Sequence, residues 1–237
     1  MGLFSKLFNA FKGMRLNKEN YLTGKALDHV LIGSMYAEQQ SAYLNSYATG
    51  LPMSTIKKLV EEYWDIYNSE DALAILEDLH TRNAHSYVDV VFEAYEQADN
   101  YVELFRANLP ADEAAFNYYV DMYRALKNVV PELIEQKFLK DFSDIRTAKN
   151  TAWNYGRAAF LARCCYDLGY LSELLLKQYL SKSYQELKAF CPTWKVYTQS
   201  YVLGRALWAG ANSAGMNQIA EDLLNHAKSP LKDKVYL

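Results

Sequence analysis

The sequence predicts an all-α protein, a single globular domain of about nine or ten helices. The chain has only 5 Pro and 10 Gly in 237 residues, too few for an all-β protein or for long disordered linkers. Apolar side chains recur at helical spacing along most of the chain. We assign residues 1–16 to an N-terminal amphipathic segment and residues 17–237 to one helical domain.

The N-terminal segment has apolar residues at helical spacing and basic residues around them. The apolar ones are Leu3, Phe4, Leu7, Phe8 and Phe11. We expect this short helix to dock on the protein's own body, and a weak membrane-surface contact through residues 3–12 is the alternative. No apolar run approaches the ~20 residues of a transmembrane helix.

Start and stop signals divide the rest of the chain into helices. Predicted helices cover residues 21–46, 54–64, 69–79, 86–105, 111–123, 131–142, 144–168, 172–190, 194–209 and 216–227. Ser54, Ser69 and Ser172 stand at N-cap positions. Pro131 suits a first turn, and Gly169 suits the C′ position of the helix before it.

Two of these helices share the form aromatic-x-x-Gly-Arg-Ala-x-aromatic, at Trp153–Phe160 and Tyr201–Trp208. A Gly inside a helix costs about 1 kcal/mol relative to Ala, so Gly156 and Gly204 indicate close approach of another helix. We expect the two helices to pack against each other. Because the motifs are 48 residues apart, a solenoid or tetratricopeptide-like stack is the alternative fold.

Arg157 and Arg205 each follow an aromatic residue by four positions, which places ring and guanidinium on one helix face. A part-buried arginine needs a carboxylate, a carbonyl or a bound anion as its partner. Asp65 and Asp167 are the acids best placed to meet them. An arginine–carboxylate pair that fixes helix packing is the favoured explanation, and an anion-binding pocket is the alternative.

Charge is unevenly distributed along the chain, whose net charge is −3. Residues 61–121 hold 15 acidic side chains against Arg82 and Arg106. This acidic stretch argues against a nucleic-acid partner along that face. It indicates either a solvated surface or a patch for a basic protein partner.

No metal or cofactor is predicted. Glu77-x-x-His80 has the spacing of a di-iron ligand pair, but the second such motif is missing. No phosphate-binding loop, dinucleotide fingerprint or Gly-x-Ser-x-Gly occurs. The three cysteines, among them adjacent Cys164 and Cys165, do not make a disulfide framework, so we expect buried thiols and a cytoplasmic location.

Several segments match the pattern of a known family. They are Trp64-Asp65-Ile66, Ala84-His85, Trp153-Asn154-Tyr155-Gly156-Arg157 with Arg163, Gly169-Tyr170-Leu171-Ser172, and Trp194 through Gly204-Arg205-Ala206-Leu207-Trp208. Over roughly residues 55–212 the chain resembles the bacterial family catalogued as domain of unknown function 1266. Asn154 stands where that pattern has Asp. The resemblance implies no particular activity.

Two functions remain open at this point. The lack of a catalytic constellation and the uneven charge favour a non-catalytic protein-interaction module. The alternative is a small anionic ligand, bound or processed between the two Gly-Arg helices. The candidate ligand-binding residues are Trp153, Asn154, Arg157, Arg163, Tyr201, Arg205 and Trp208. Arginines that converge in a concave pocket would favour the ligand, and arginines sealed by carboxylates would favour the module.

Overall fold

The computed structural model describes residues 13–84, 87–97, 100–211 and 214–237. The helices in these ranges are α1 Gly24–Leu31, α2 Ser34–Gln39, α3 Met53–Trp64, α4 Ser69–Ala84, α5 Val88–Glu96, α6 Tyr101–Asn108, α7 Glu113–Glu135, α8 Thr151–Asp167, α9 Glu173–Lys188, α10 Trp194–Ala209 and α11 Ala214–Asn225, with a short 3-10 helix at Phe142–Asp144. The described ranges contain no strand, only one isolated bridge between Thr193 and Tyr236. The predicted all-α class is therefore confirmed.

Helix α8 is the centre of the fold. Every residue from Ala158 to Cys165 is buried, and the small side chains among them let neighbouring helices approach closely. Helix α8 packs against α1, α2, α3, α4, α9 and α10, while α7 packs on α10 and α5 packs on α6 and α7. In a solenoid each repeat contacts only its neighbours. The alternative of a solenoid or tetratricopeptide-like stack is therefore wrong.

The predicted helix over residues 21–46 is two helices, because the chain turns at Ile32 and Gly33 between α1 and α2. A Cβ on Gly33 would lie 3.0 Å from the backbone nitrogen of Phe160 in α8. The turn between α1 and α2 therefore lies where the backbone of α8 passes close to Gly33. Spacing of apolar residues alone does not report such a crossing.

Other predicted boundaries are also wrong, and two are confirmed. Ser54 lies inside α3, whose N-cap is Pro52. The predicted helix over residues 86–105 is two helices, α5 and α6, and the predicted helix over residues 144–168 begins only at Thr151. Pro131 lies inside α7 and does not begin a helix. The cap before α4 is Asn68, whose side chain accepts from the amides of Glu70 and Asp71. Ser172 does cap α9, and Gly169 follows α8 with a φ of +77°, as its C′ position requires.

The predicted amphipathic segment at residues 3–12 lies outside the described residues, so both docking alternatives stay predictions. Met14, which follows it, is buried. Arg15 donates to the carbonyl oxygens of Ser41 and Gly50, which ties the chain to the loop after α2. None of the described helices is long and apolar enough to cross a membrane.

Candidate functional site

Helices α8 and α10 pack through a reciprocal contact between glycines and aromatic rings. A Cβ on Gly204 would lie 2.3 Å from Cβ of Trp153, and a Cβ on Gly156 would lie 2.7 Å from the ring of Tyr201. The two ring centroids are 5.0 Å apart, edge to face. The helices therefore run antiparallel at this crossing, and the close approach expected from the two glycines is confirmed.

The start of α8 is held by a side chain of α10. The Ser200 hydroxyl accepts from the amide of Ala152 at 3.0 Å and donates to the carbonyl of Ala148 at 3.3 Å. This satisfies one of the amides that a helix N-terminus leaves unpaired. The first turns of α8, which carry Trp153 and Arg157, are therefore fixed relative to α10.

Arg157 is a half-buried cation whose partners are neutral. Its Nε donates to the carbonyl of Trp153 at 3.3 Å and its Nη2 donates to Oδ1 of Asn154 at 2.5 Å. The guanidinium carbon lies 4.4 Å from the Trp153 ring centroid and 5.2 Å from that of Trp64, in the range of cation–π attraction. No carboxylate in the described ranges lies within 4.0 Å of it.

Burial lowers the pKa of Arg157 to about 10. The side chain is therefore still a cation at neutral pH. Neither Asp65 nor Asp167, the acids expected to meet the arginines, does so. Asp65 ends α3 in a left-handed conformation, and Asp167 accepts from the backbone amide of Thr49 at 2.8 Å.

Arg157 faces a pocket of about 780 Å³ between α4, α7, α8 and α10, which we call the Arg157 pocket. Aromatic, polar and charged side chains share its wall. They include Asp78, Thr81, Arg82, Tyr118, Tyr119, Asp121, Asn150, Trp153, Asn154 and Trp208. The volume is in the usual range for small-molecule sites.

Both acids among the described residues of this wall already have arginine partners. Asp78 pairs with Arg82 at 2.6 Å and Asp121 pairs with Arg124 at 3.0 Å. Arg157 therefore supplies a positive charge that neither of these two acids pairs with. The sequence did not indicate Asp78 or Arg82 as part of the site, because α4 is more than 70 residues away from Arg157 along the chain and only the fold brings them together.

The rim of the pocket has two exposed rings. Trp208 in the last turns of α10 is 70% exposed, and Tyr118 of α7 is 60% exposed. The Trp208 ring lies 6.3 Å from the Trp153 ring. Arg205 lies beside both indoles, with its guanidinium carbon 5.0 Å from the Trp208 centroid and 6.0 Å from the Trp153 centroid.

Three of the candidate residues do not line the pocket. Tyr201 is buried against Gly156. Arg205 supports the two indoles, and its Nη1 is buried without a hydrogen-bond partner in the described ranges. Arg163 is fully buried and donates to the carbonyls of Tyr43, Tyr47 and Ala48. The structure brings together Trp153, Asn154, Arg157 and Trp208, and it assigns Arg163 to holding the loop after α2.

A Ser–His–Glu arrangement elsewhere has the distances of a hydrolytic triad. The Ser183 hydroxyl lies 3.2 Å from Nε2 of His80, and Oε2 of Glu186 lies 2.8 Å from Nδ1. A nucleophile must reach its substrate, but Ser183 is 0% exposed and His80 4% exposed. The rings of Tyr155 and Tyr179 lie 5.3 and 6.1 Å from the imidazole. We therefore assign this cluster to joining α4 and α9.

The cysteine thiols are poorly suited to nucleophilic chemistry. All three are buried, and burial raises the pKa of Cys165 and of Cys191 to about 12. The reactive thiolate is therefore scarce at neutral pH. Within the described ranges, no three His, Cys, Asp or Glu side chains converge as a metal site would need.

Comparison with known proteins identifies the family. The family described as "Protein of unknown function (DUF1266)" matches residues 60–234, which include both Gly-Arg helices and the whole wall of the Arg157 pocket. No curated protein and no solved structure matches the chain. The resemblance read from the motifs is confirmed by this match, and the chain belongs to the DUF1266 family of proteins of unknown function.

Proposed function

We propose that the Arg157 pocket binds a small anionic ligand, with Arg157 as the residue that receives the anionic group. The observation that supports this most is a half-buried guanidinium with only neutral partners at the wall of a pocket of about 780 Å³. Removing a charge from water is costly unless it is paired. A phosphate or carboxylate in the pocket would supply the missing opposite charge.

The hydrogen bonds of Arg157 leave room for such a ligand. A guanidinium has five N–H donors, and the carbonyl of Trp153 and the amide of Asn154 accept from two of them. The remaining donors can form the paired, charge-assisted bonds that arginine makes with phosphate and carboxylate. The indoles of Trp64 and Trp153 hold the guanidinium plane in place.

Anion binding should raise the melting temperature by mass action. Parent protein is melted against increasing phosphate, pyrophosphate and succinate. An anion at ten times its Kd should add about 1.4 kcal/mol of stability, or about 3 °C for a chain of this length. Arg157→Met should lose this response, because the substitution keeps the apolar bulk and removes the charge.

The matched control is Arg146→Met. Arg146 is an exposed arginine paired with Glu96, and it does not line the pocket. This variant should respond to the anions as the parent does. An equal rise in parent and Arg157→Met would show binding elsewhere, and no rise in the parent with any anion would end the proposal.

Asn154→Asp should close the site. The new carboxylate would stand where the amide oxygen now accepts from Nη2 of Arg157 at 2.5 Å, and a charge-assisted bond is about twice as strong as a neutral one. We expect the free energy of unfolding to rise by about 1 kcal/mol, while the anion response disappears. Urea unfolding with and without anion measures both quantities.

Asn128→Asp is the control for this variant, because Asn128 is exposed on α7 and does not line the pocket. It adds the same charge and should keep the anion response. If Asn154→Asp binds anions as well as the parent, Arg157 does not receive the ligand.

The protein-interaction role that the sequence favours stays a prediction. Its support is the acidic stretch at residues 61–121 and the exposed Trp208 at the pocket rim. A packing role for Arg157 would require an arginine–carboxylate pair. The ligand-binding role is preferred here because Arg157 has no carboxylate partner in the described ranges.

A further inference from the structure

We infer that the ligand of the Arg157 pocket is an anion that carries a planar aromatic ring, and that the indole of Trp208 stacks on this ring while Arg157 binds the acidic group. This inference rests on the proposed function and goes further, since it names the second half of the ligand. Three observations lead to it.

The first observation is size. The pocket is a cleft of about 780 Å³ that is partly open to solvent, and specific sites usually bury most of their ligand's surface. An inorganic phosphate at Arg157 would fill only a small part of that space. The rest of the wall therefore fits a ligand with a sizeable group attached to its anionic end.

The second observation is the exposure of Trp208. Its indole is 70% exposed although it lines the pocket. A large aromatic ring left in water gives up the stabilisation that burial would bring. A flat ring laid on it would recover that stabilisation. Tyr118, which is 60% exposed, lines the same pocket from α7.

The third observation is how Trp208 is held and where it lies. The guanidinium carbon of Arg205 is 5.0 Å from the Trp208 centroid, so a cation already supports this ring. The Trp153 ring is close to both binding groups, 6.3 Å from the Trp208 ring and 4.4 Å from the Arg157 guanidinium carbon. One ligand of modest length can therefore contact Arg157 and Trp208 together.

Nucleotides and aromatic carboxylates both combine an anionic group with a planar ring. The following experiment distinguishes these two classes of ligand. Titration calorimetry compares adenosine 5′-monophosphate with ribose 5-phosphate and with adenosine, and compares indole-3-acetate with acetate. In each pair the anionic group is kept and the ring is removed, and adenosine keeps the ring without the phosphate. The pair with the larger difference in affinity between its ring-bearing and ring-free anions identifies the class of ligand that the pocket prefers.

We expect the ring-bearing anion of one pair to bind at least about tenfold more tightly than its ring-free partner, which is the gain that one stacked ring brings. Trp208→Ala should remove this tenfold difference and leave the affinity for the ring-free anion unchanged. Arg157→Met should weaken both anions. Because Trp208 is largely exposed, its loss should leave the melting temperature of the free protein close to that of the parent.

Tyr63→Ala is the control. Tyr63 is 72% exposed and does not line the pocket, so the tenfold difference should remain. If ring-free anions bind as tightly as ring-bearing ones, or if Trp208→Ala keeps the difference, the inference is overturned while the proposed anion site stands. If no anion binds the parent, both fail together.

Discussion

Gly204→Leu should lower the free energy of unfolding by about 3 kcal/mol, at the upper end of the usual cost of overpacking. Its Cβ alone would stand 2.3 Å from Cβ and 2.9 Å from Cγ of Trp153, and 3.2 Å from the carbonyl oxygen of Asn150. These are atoms close to or on the backbone of α8. The two helices must therefore move apart, since no flexible side-chain end can give way.

Urea unfolding measures this effect, with Ala114→Leu as the control. Ala114 is exposed on α7, so the same side chain there should change stability by less than about 0.5 kcal/mol. Gly156→Leu should also be strongly destabilising, because its Cβ would meet the buried ring of Tyr201. A Gly204→Leu protein as stable as its parent would remove the account of the α8–α10 contact given above.

Arg163→Met should cost about 3 kcal/mol, for a different reason. The substitution fills nearly the same space but removes the donors to the carbonyls of Tyr43, Tyr47 and Ala48. A buried acceptor left unpaired costs about 1–3 kcal/mol. These three carbonyls are only part-buried, and the loss is further offset because a buried charge is also removed.

Hydrogen exchange gives a second readout for Arg163→Met. The amides of Tyr43 and Thr49, which donate to the Thr49 carbonyl and to Asp167 respectively, should exchange faster in the variant. Arg146→Met, at an exposed pair, should change neither stability nor this exchange measurably. An unchanged denaturation midpoint for Arg163→Met would mean that the loop after α2 holds its position without the guanidinium.

The sequence predicted the α8–α10 contact because a glycine inside a helix is itself a local signal of close helix packing. A helix keeps a costly glycine only where the missing side chain is useful, and Gly156 and Gly204 occur at equivalent positions. The sequence could not indicate the residues from α4 and α7 that line the Arg157 pocket. Asp78 and Tyr118 belong to α4 and α7, and their approach to α8 depends on tertiary packing that periodicity does not describe.

Arg157 and Arg163 show the same limit within one helix. Both belong to the motif that indicated the family, and both were candidate ligand-binding residues. Residues six positions apart point about 120° away from each other around a helix. The sequence does not say which of the two directions leads to a loop of carbonyls and which leads to a pocket, because that depends on the neighbours of α8.

A single side chain, Trp153, contributes both to the α8–α10 contact and to the wall of the Arg157 pocket. Its Cβ occupies the space that Gly204 leaves, and its ring carries the Arg157 guanidinium. A change at Trp153 therefore alters the contact between α8 and α10 and the wall of the Arg157 pocket together. Asn154 and Trp208 also line the pocket, but neither takes part in the glycine contacts between α8 and α10. Substitutions at those two positions can therefore alter the lining of the Arg157 pocket while the glycine contacts between α8 and α10 stay intact.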